Sequence, residues 1–261
     1  MSDPSPKKVP RSRLDAAVVA RGLAETRAKA QGLILSGRVL LGGAVVTKCG
    51  AQVRADQPVA LSPAPRPFAS RGGIKLEGAL DDFGLSCEGK AALDVGASTG
   101  GFTDCLLRKG AARVYAVDVG EKLIDDRLRR DPRVVVLEKI NFRYAPVELL
   151  PEKVALATID VSFISLRHIL PPLRRFLQAR GDVLALVKPQ FEVGKAWVGK
   201  GGVVRDEAKR REAVRAVADI AAGLGFSVVG QAECRIKGPG GNREVFLHLR
   251  WEEGSGRAEW P

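Results

Sequence analysis

Few side chains of this 261-residue chain could carry chemistry, and their types narrow the choice of mechanism. The sequence contains only two histidines, His168 and His248, and four dispersed cysteines without a Cys-x-x-Cys pair. This inventory excludes a zinc finger, argues against a histidine-based triad and predicts no metal. Lysines and carboxylates therefore remain as the side chains that could act as acids, bases or orienting groups.

Four such side chains lie near predicted strands in the C-terminal part of the chain. Asp160 and Lys188 follow the fourth and fifth apolar segments, Glu244 begins the last predicted strand, and Lys75 precedes the first. Apolar strands that alternate with helices predict a parallel sheet covered on both faces, and such sheets bind ligands at the carboxyl ends of their strands. We therefore expect the side chains that follow these parallel strands to meet at one edge of the sheet.

A small-residue loop after the first strand predicts a nucleoside cofactor. Its glycines form the pattern Gly-x-x-x-Gly-Gly from Gly96 to Gly101, and Asp118 ends the second strand, 24 residues after Asp94. A glycine-rich turn lets a ligand approach the backbone, and an acid at the end of the second strand can bind both hydroxyls of a ribose. Because the loop is neither Gly-x-Gly-x-x-Gly nor a P-loop, S-adenosylmethionine suits it better than a dinucleotide, with a dehydrogenase as the alternative.

The order of the predicted elements indicates the fold class. Strands are predicted at 91–96, 113–118, 134–137, 154–159 and 182–187, followed by a helix at 207–224 and two closing strands at 226–230 and 244–249. Closing strands that pair antiparallel onto a parallel sheet are typical of S-adenosylmethionine methyltransferases. The sequence thus predicts an α/β protein, a Rossmann-like class I methyltransferase with a mostly parallel seven-stranded sheet and an antiparallel last strand, preceded by a small α+β domain.

Positive charge is concentrated at the N-terminal end. The chain has 42 Lys and Arg against 30 Asp and Glu, a net charge of +12. Residues 1–70 hold eleven Lys and Arg against four Asp and Glu, so they carry +7 and the other 191 residues carry +5. Such segregation indicates a docking element for a polyanion such as nucleic acid. Three prolines between Pro63 and Pro67 predict a stiff linker behind this element.

These features divide the chain into five predicted parts. They are a disordered tail (1–10), a small basic domain (11–62) expected to bind a polyanion, a linker (63–70), a methyltransferase domain (71–251) and a flexible tail (252–261). No apolar run reaches the length of a membrane span, and the start of the chain lacks the apolar segment of a signal peptide. Dispersed cysteines suit a reducing compartment, so we expect a cytoplasmic protein.

The N-terminal part combines two short predicted helices, a Gly42-Gly43 turn and short β segments with a distinctive set of residues. Arg13-Leu14-Asp15, Gly22-Leu23-Ala24 and Gly37-Arg38-Val39 carry the pattern. It resembles the RNA-binding fold of ribosomal protein S4, the α-L motif, with Cys49 where that fold usually has proline. The resemblance implies RNA contacts from the basic residues of the second helix and its surroundings, namely Arg13, Arg27, Lys29, Arg38 and Lys48.

The order Lys-Asp-Lys-Glu at 75, 160, 188 and 244 resembles the catalytic tetrad of ribose 2′-O-methyltransferases of the FtsJ class. Other target atoms match less well, because the segment 160–163 reads Asp-Val-Ser-Phe rather than Asp/Asn-Pro-Pro-Tyr/Phe and no cysteine follows a proline. A ribose hydroxyl must be aligned with the methyl donor, and an amine of lowered pKa can accept or orient its proton. We predict Lys188 as the central residue, positioned by Asp160 and Glu244. Lys75 is expected to lower the pKa of Lys188 by like-charge repulsion and to hold the substrate.

Matching stretches at 70–73, 76–80, 93–104, 159–166, 187–192, 199–206 and 238–244 extend the resemblance to the whole of residues 11–250. Together they resemble the TlyA or haemolysin A family, bacterial rRNA 2′-O-ribose methyltransferases. The resemblance implies S-adenosylmethionine as cofactor and a cytidine ribose of 23S rRNA, in some members also 16S rRNA, as substrate. It implies cofactor contacts from Asp94, Gly96, Ala97, Ser98, Gly100, Phe102, Asp118 and Asn141, and RNA contacts from Arg71, Lys200 and Arg205.

Three departures from the family pattern bear on these expectations. Glu121-Lys122-Leu123 replaces the usual Tyr/His-Gly-Gln-Leu, the linker reads Arg66-Pro67-Phe68-Ala69 where some members have Arg-x-Trp-Val, and the tail after Leu249 is short. The expected partner is rRNA in a ribosomal subunit or assembly intermediate, with no membrane and no metal, and a monomer is expected. The alternatives are a non-catalytic RNA-binding or assembly factor and, following the family's older name, a membrane-lytic protein.

Overall fold

The computed structural model of the chain describes residues 11–62 and 68–252. The predicted tail at 1–10, most of the predicted linker (63–67) and the last residues, 253–261, lie outside the described residues. We refer to 11–62 as the N-terminal domain and to 68–252 as the C-terminal domain. Within these two ranges, no helix combines the length and the apolar character that a membrane crossing requires.

The N-terminal domain packs two short helices on short strands. Its elements are β1 (Arg11–Arg13), α1 (Leu14–Ala20), α2 (Arg27–Leu35), β2 (Val39–Leu41), β3 (Ala44–Val45), β4 (Gln52–Arg54) and β5 (Val59–Leu61). Helix α2 begins at Arg27, because the Thr26 side chain accepts a hydrogen bond from the backbone N–H of Lys29. Leu14, Ile34 and Val39 form the centre of a small apolar core. Strand β1, which pairs antiparallel with β4, was not predicted from the sequence.

The C-terminal domain is an alternation of strands and helices. Its elements are α3 (Gly72–Phe83), β6 (Ala91–Val95), α4 (Gly101–Arg108), β7 (Arg113–Val117), α5 (Asp126–Arg129), β8 (Val134–Leu137), β9 (Val154–Ile159), α6 (Leu170–Leu173), β10 (Leu177–Val187), α7 (Pro189–Glu192), α8 (Glu207–Gly223), β11 (Phe226–Glu233) and β12 (Val245–Trp251). Short 3-10 helices lie at 142–144, 147–149, 166–168, 174–176, 195–197 and 239–241. The predicted strand positions are confirmed to within a few residues.

Seven strands form one sheet in the order β11-β12-β10-β9-β6-β7-β8. Strands β8, β7, β6, β9 and β10 are parallel, while β12 runs antiparallel to both β10 and β11. The predicted class I methyltransferase fold is therefore confirmed, with β12 as the reversed strand. Strand β10 starts five residues before the predicted position, and its register shifts between Leu177 and Asp182, where Arg180 has a φ of 64°.

Alternate residues of the parallel strands face two separate apolar cores. Leu93 of β6 packs into a core that includes Val217 of α8. Its neighbour Ala92 belongs to the core on the other face, together with Leu76 of α3 and Leu106 of α4. Covering both faces explains why these strands read as continuous apolar segments. It also leaves the strand ends as the place where polar side chains can meet.

Candidate active site

The four lysine and carboxylate positions predicted as a group, which we call the tetrad, meet at the carboxyl end of the sheet. Asp160 follows β9, Lys188 follows β10, Glu244 precedes β12 and Lys75 extends from α3. The ammonium of Lys188 lies 2.5 Å from Oδ1 of Asp160, and that of Lys75 lies 2.6 Å from Oε2 of Glu244. Both lysines are 8% exposed and Glu244 is 1% exposed. The site is thus two ion pairs held largely out of water.

The pairing inside the tetrad differs from the predicted one. Glu244 was expected to position Lys188, but its carboxylate binds Lys75. The reason lies in the packing of the elements: α3 lies against β11 at this edge of the sheet, which brings Lys75 to Glu244. Asp160 and Lys188 follow the adjacent parallel strands β9 and β10, so they pair with each other.

Lys188 has three acceptors around its ammonium group. Besides the Asp160 carboxylate, they are the Ser162 hydroxyl oxygen at 3.0 Å and the Asp160 backbone carbonyl at 3.5 Å. An ammonium has three N–H donors, so this arrangement satisfies the charged form of the side chain. Ser162 was not predicted, although its position two residues after Asp160 could have identified it.

Lys75 remains charged in this arrangement. Burial by itself would lower its pKa, but the carboxylates of Asp160 and Glu244 outweigh burial and raise the pKa above its ordinary value. A lysine with a raised pKa is a fixed positive charge rather than a base. Lys75 is therefore poorly suited to accept a proton.

The glycine loop, residues 96–101, lies directly against the tetrad. Gly96 has a φ of 88°, and a Cβ added there would come within 2.8 Å of the Asp160 carbonyl oxygen, so glycine is required. Ser98 donates its backbone N–H to Oδ2 of Asp118 at 2.8 Å, and Gly120 donates to Oδ1 at 2.7 Å. The Asp118 carboxylate thereby joins the glycine loop to the turn after β7.

One pocket joins the tetrad and the glycine loop. Gly96, Ala97, Ser98 and Phe102 line it together with three tetrad residues, Lys75, Asp160 and Lys188. Ser70, Arg71, Gly72, Thr99, Gly101, Ser162, Lys237 and Gly238 complete the C-terminal side of the pocket, and Leu35 and Thr47 of the N-terminal domain form its remaining wall. Three of the four predicted catalytic residues and four of the eight predicted cofactor residues therefore line a single cavity, and Glu244 reaches it through Lys75.

The other predicted cofactor residues lie outside the lining of this pocket. Asp94 requires a correction: its carboxyl is fully buried and accepts hydrogen bonds from Thr103 at 2.7 Å and Thr158 at 3.3 Å. It therefore braces the start of α4 against β9 instead of facing a ligand. Gly100 packs toward Leu128, and the exposed Asn141 accepts a hydrogen bond from the backbone of Arg143. Asp118 remains linked to the pocket through Ser98.

The predicted RNA-contacting residues fall into two groups. Arg13 and Arg27 share the carboxylate of the buried Asp15, and Lys29 pairs with Glu25 at 2.7 Å. Arg38 is half-buried, whereas Lys48, Arg71, Lys200 and Arg205 are exposed. Arg71 lies at the pocket, and the other three are spread over the surface. Within the N-terminal domain, the side chains of Arg13 and Arg27 keep about half of their surface exposed and so can still reach an anion.

Three further residues near the pocket were not predicted from the sequence. Lys237 is exposed and lines the pocket, and Phe163 is 91% exposed with a φ of 66° beside Ser162. Asn242 is 2% exposed, accepts from the Val204 backbone N–H at 3.0 Å and donates to the Gly202 carbonyl at 2.8 Å. It ties the glycine-rich segment 199–204 to the turn before Glu244. An amide residue among glycines is the signal that could have identified it.

Comparison with known proteins agrees with this geometry. Residues 68–251 match the FtsJ-like methyltransferase family, and residues 12–59 match the S4 domain. The chain is 46% identical over 241 residues to the 16S/23S rRNA (cytidine-2′-O)-methyltransferase TlyA of Mycobacterium tuberculosis (strain H37Rv), covering 92% of this chain and 90% of that protein. It is 39% identical over 238 residues to hemolysin A of Brachyspira hyodysenteriae, covering 91% of this chain and 99% of that protein.

A solved structure is similar across both domains. A Streptococcus thermophilus protein that carries a hemolysin designation matches with a TM-score of 0.73 and 41% sequence identity. The match covers 95% of this chain and 91% of that protein. The combination of an N-terminal domain and a seven-stranded sheet is therefore shared with a protein of known structure.

Proposed function

The chain belongs to the FtsJ-like methyltransferase family, with an N-terminal S4 domain, and from that premise we propose that it methylates a ribose 2′-hydroxyl of ribosomal RNA. The target nucleoside is a cytidine, because the M. tuberculosis relative is named for cytidine-2′-O methylation of 16S and 23S rRNA. We place the rRNA substrate in a ribosomal subunit or an assembly intermediate in the cytoplasm.

The observation that carries this proposal is the tetrad with its two ion pairs beside the glycine loop. A ribose hydroxyl carries no charge and becomes a better nucleophile only when its proton is oriented or removed. Lys188 is the group suited to this task, because Asp160 and Ser162 fix the position of its side-chain nitrogen at the pocket. The fixed positive charge of Lys75 lies in the same pocket and favours loss of a proton from its surroundings.

S-adenosylmethionine fits the residues that surround the pocket, and it supplies an electrophilic methyl group when bound. Gly96, with no Cβ and a backbone folded against Asp160, leaves room for a ligand to approach the main chain. Asp118 is the acid suited to ribose hydroxyls, and Phe102 adds an apolar surface within the pocket. Ala97 and Ser98 complete the proposed cofactor contacts, whereas Asp94 only supports these residues from the buried interior behind them.

We propose the following role for each tetrad residue. Lys188, when unprotonated, would accept the proton that the 2′-hydroxyl loses as its oxygen bonds to the methyl group, while the methyl–sulfur bond of the donor breaks and leaves a neutral thioether. Asp160 holds the side chain of Lys188 and stabilises the ammonium that results. Glu244 holds Lys75, which stays charged throughout and orients the substrate. Arg71 and Lys237, exposed at the same pocket, are suited to contact the RNA backbone beside the target nucleotide.

Replacement of Lys188 tests this function. We expect Lys188→Ala to abolish methyl transfer from radiolabelled S-adenosylmethionine to rRNA that lacks the modification, while RNA affinity stays nearly unchanged. Lys90→Ala, in the turn before β6 and away from the pocket, is the matched control and should retain full activity. Methylation by the Lys188→Ala variant at the wild-type rate would remove Lys188 from the mechanism.

Calorimetry on the wild-type chain separates the enzyme from a non-catalytic RNA-binding factor. The enzyme must bind S-adenosylmethionine in the absence of RNA or in its presence, whereas a purely structural assembly factor binds it in neither case. Mapping of 2′-O-methyl positions in rRNA from cells that lack the protein would then identify the modified cytidine.

A further inference from the structure

A glycine lies in the interior of helix α2, where glycine is unfavourable relative to alanine. Gly32 is the sixth of the nine residues of this helix. A Cβ added to it would lie 3.6 Å from the backbone oxygen of Leu123 and 3.9 Å from Cγ2 of Thr99. Both contacts belong to the C-terminal domain. The missing side chain thus lets the backbone of α2 lie against the catalytic domain.

Gly32 is the middle member of a row along α2. Lys29, Gly32 and Leu35 are spaced three residues apart and therefore lie near one another on the helix surface; we call this row the docking stripe. The carboxylate of Asp126, after that of Glu25, helps to raise the pKa of Lys29, so this end of the stripe faces an acid of the C-terminal domain. Leu35 lines the tetrad pocket at the other end of the stripe.

The surface that receives the stripe is the part of the C-terminal domain predicted to hold the cofactor. Thr99 belongs to the glycine loop, and its backbone oxygen accepts a hydrogen bond from the Asp125 N–H at 3.2 Å. This bond fixes the segment 123–126 to the loop. The Asp118 carboxylate joins the same loop to the turn after β7. Helix α2 therefore rests on the glycine loop and on the segment 123–126 that is bonded to it.

Leu35 gives the contact a chemical meaning. Although it lies next to the other domain, it is 40% exposed, which is unfavourable for an apolar side chain. Its exposed part borders the pocket that also contains Lys188 and Ser98. Thr47, in the segment after β3, borders the same pocket. A ligand in the pocket would cover apolar surface on Leu35, and this burial would favour binding.

We propose that the N-terminal domain, in addition to binding RNA, supplies one wall of the methyl-transfer pocket, and that docking of the Lys29–Gly32–Leu35 stripe is required for full affinity for S-adenosylmethionine. The proposal rests on the proposed function. It assigns Leu35 and Thr47 to the cofactor and substrate pocket and gives Lys29 a role in docking rather than in RNA contact. Helix α2 belongs to the domain that binds RNA and also lies against the cofactor site. RNA that shifts the N-terminal domain would therefore alter the cofactor site directly.

A size series at Gly32 tests the docking. Alanine places its methyl group at ordinary contact distance, so Gly32→Ala should weaken S-adenosylmethionine binding only slightly. Gly32→Leu forces the helix away from Leu123 and Thr99, and we expect its dissociation constant, measured by calorimetry on the full chain without RNA, to rise about tenfold. Small-angle scattering should show a larger radius of gyration for Gly32→Leu than for the wild type.

A second variant keeps the test valid if Gly32→Leu disturbs the N-terminal domain itself. Leu35→Ala removes a partly exposed side chain, so the fold should tolerate it, and it should weaken S-adenosylmethionine binding severalfold. Val45→Ala is the matched control, because Val45 is 48% exposed on the same domain but does not line the pocket. It should leave cofactor affinity unchanged, and filter binding should give wild-type RNA affinity for both alanine variants.

The outcomes separate the two proposals. Unchanged S-adenosylmethionine affinity in both Gly32→Leu and Leu35→Ala would overturn the docking proposal and leave the enzymatic function intact. A wild-type chain that binds no S-adenosylmethionine, with or without RNA, would instead contradict the proposed function. Equal loss of RNA affinity and cofactor affinity in Leu35→Ala would show that Leu35 acts through the N-terminal fold and would also overturn the docking proposal.

Discussion

An ion pair of the N-terminal domain and one of the C-terminal domain differ sharply in their exposure to water. In the N-terminal domain most charges lie at the surface, as in the pair of Lys29 and Glu25, whose side chains are 51% and 80% exposed. In the C-terminal domain the pair of Lys75 and Glu244 is almost completely enclosed, at 9% and 0%. Exposed pairs contribute little to stability because water and salt screen them, while a buried charge that loses its partner is strongly destabilising. The first arrangement suits reversible docking of a polyanion, and the second suits a fixed chemical site.

The largest effect predicted from this contrast follows from removal of one partner in each domain. Glu244→Ala leaves the Lys75 ammonium buried without its closest carboxylate, and we expect a loss of about 3–5 kcal/mol in the free energy of unfolding. Glu25→Ala removes the exposed partner of Lys29 and should leave the unfolding midpoint unchanged. Urea unfolding of the two variants measures both effects. Equal midpoints for the two variants would contradict the contrast between the domains.

A second buried carboxyl, Asp94, makes the stability of the C-terminal domain depend on pH. Burial raises its pKa to about 7 from the ordinary value of 3.8. The folded chain then holds a proton that the unfolded chain releases, so the stability from Asp94 is fully present below about pH 4 and is lost as pH rises through 7. We expect Asp94→Asn, which keeps the shape, to lose less stability than the wild type between pH 5 and pH 8.

The Asp94 test consists of urea unfolding of the wild type and Asp94→Asn at both pH values. Asp104→Asn is the control, since Asp104 is also mostly buried but lies close to the charged Arg108. A wild-type stability that falls no more steeply than that of Asp94→Asn over this interval would contradict the assigned protonation of Asp94.

Ser162 allows the chemical site itself to be tested more finely. Its hydroxyl accepts a hydrogen bond from the Lys188 ammonium at 3.0 Å, and hydrogen bonds to charged groups contribute about 1.5–3 kcal/mol. If this bond positions Lys188 for proton transfer, Ser162→Ala should lower kcat by about 10- to 100-fold. The KM for S-adenosylmethionine should stay nearly constant, and Ser162→Thr should restore much of the rate. A change confined to KM would mean that Ser162 contacts the cofactor instead.

The contrast between the domains also explains which features could be predicted from the sequence. Asp160 and Lys188 follow apolar strands that are adjacent in a parallel sheet, so the strand order alone brings them together. The pairing of Lys75 with Glu244 depends on how α3 packs at the far edge of the sheet, and no local pattern encodes that. Likewise, the burial of Asp94 depends on Thr103 and Thr158, which reach it from two different elements.

The N-terminal domain shows the same limit in another form. Its helices and turns could be predicted because apolar spacing and glycines mark them, as Gly37 marks the end of α2, whereas the sequence placed the start of α2 near Ala24 and the structure places it at Arg27. The direction in which each basic side chain points could not be predicted. The resemblance to the S4 fold assigns Lys29 to RNA, and its helix face lies beside the C-terminal domain, since the neighbouring Gly32 packs against Leu123. Contacts between domains have no periodicity in the sequence that would reveal them.

The smallest predicted effect concerns a single surface charge of the N-terminal domain. Lys48 is exposed and has no acidic partner among the described contacts, so its ammonium is available to a phosphate. Each phosphate contact adds a little affinity and releases about one counterion, so Lys48→Ala should weaken rRNA binding only a few-fold and reduce the salt slope of log K by about 1. Filter binding at several salt concentrations measures both values. Lys153→Ala, on the C-terminal domain far from the pocket, is the control. An equal change of the salt slope in that variant would mean that RNA binding depends on the total positive charge of the chain. The N-terminal domain would then not be a dedicated docking element.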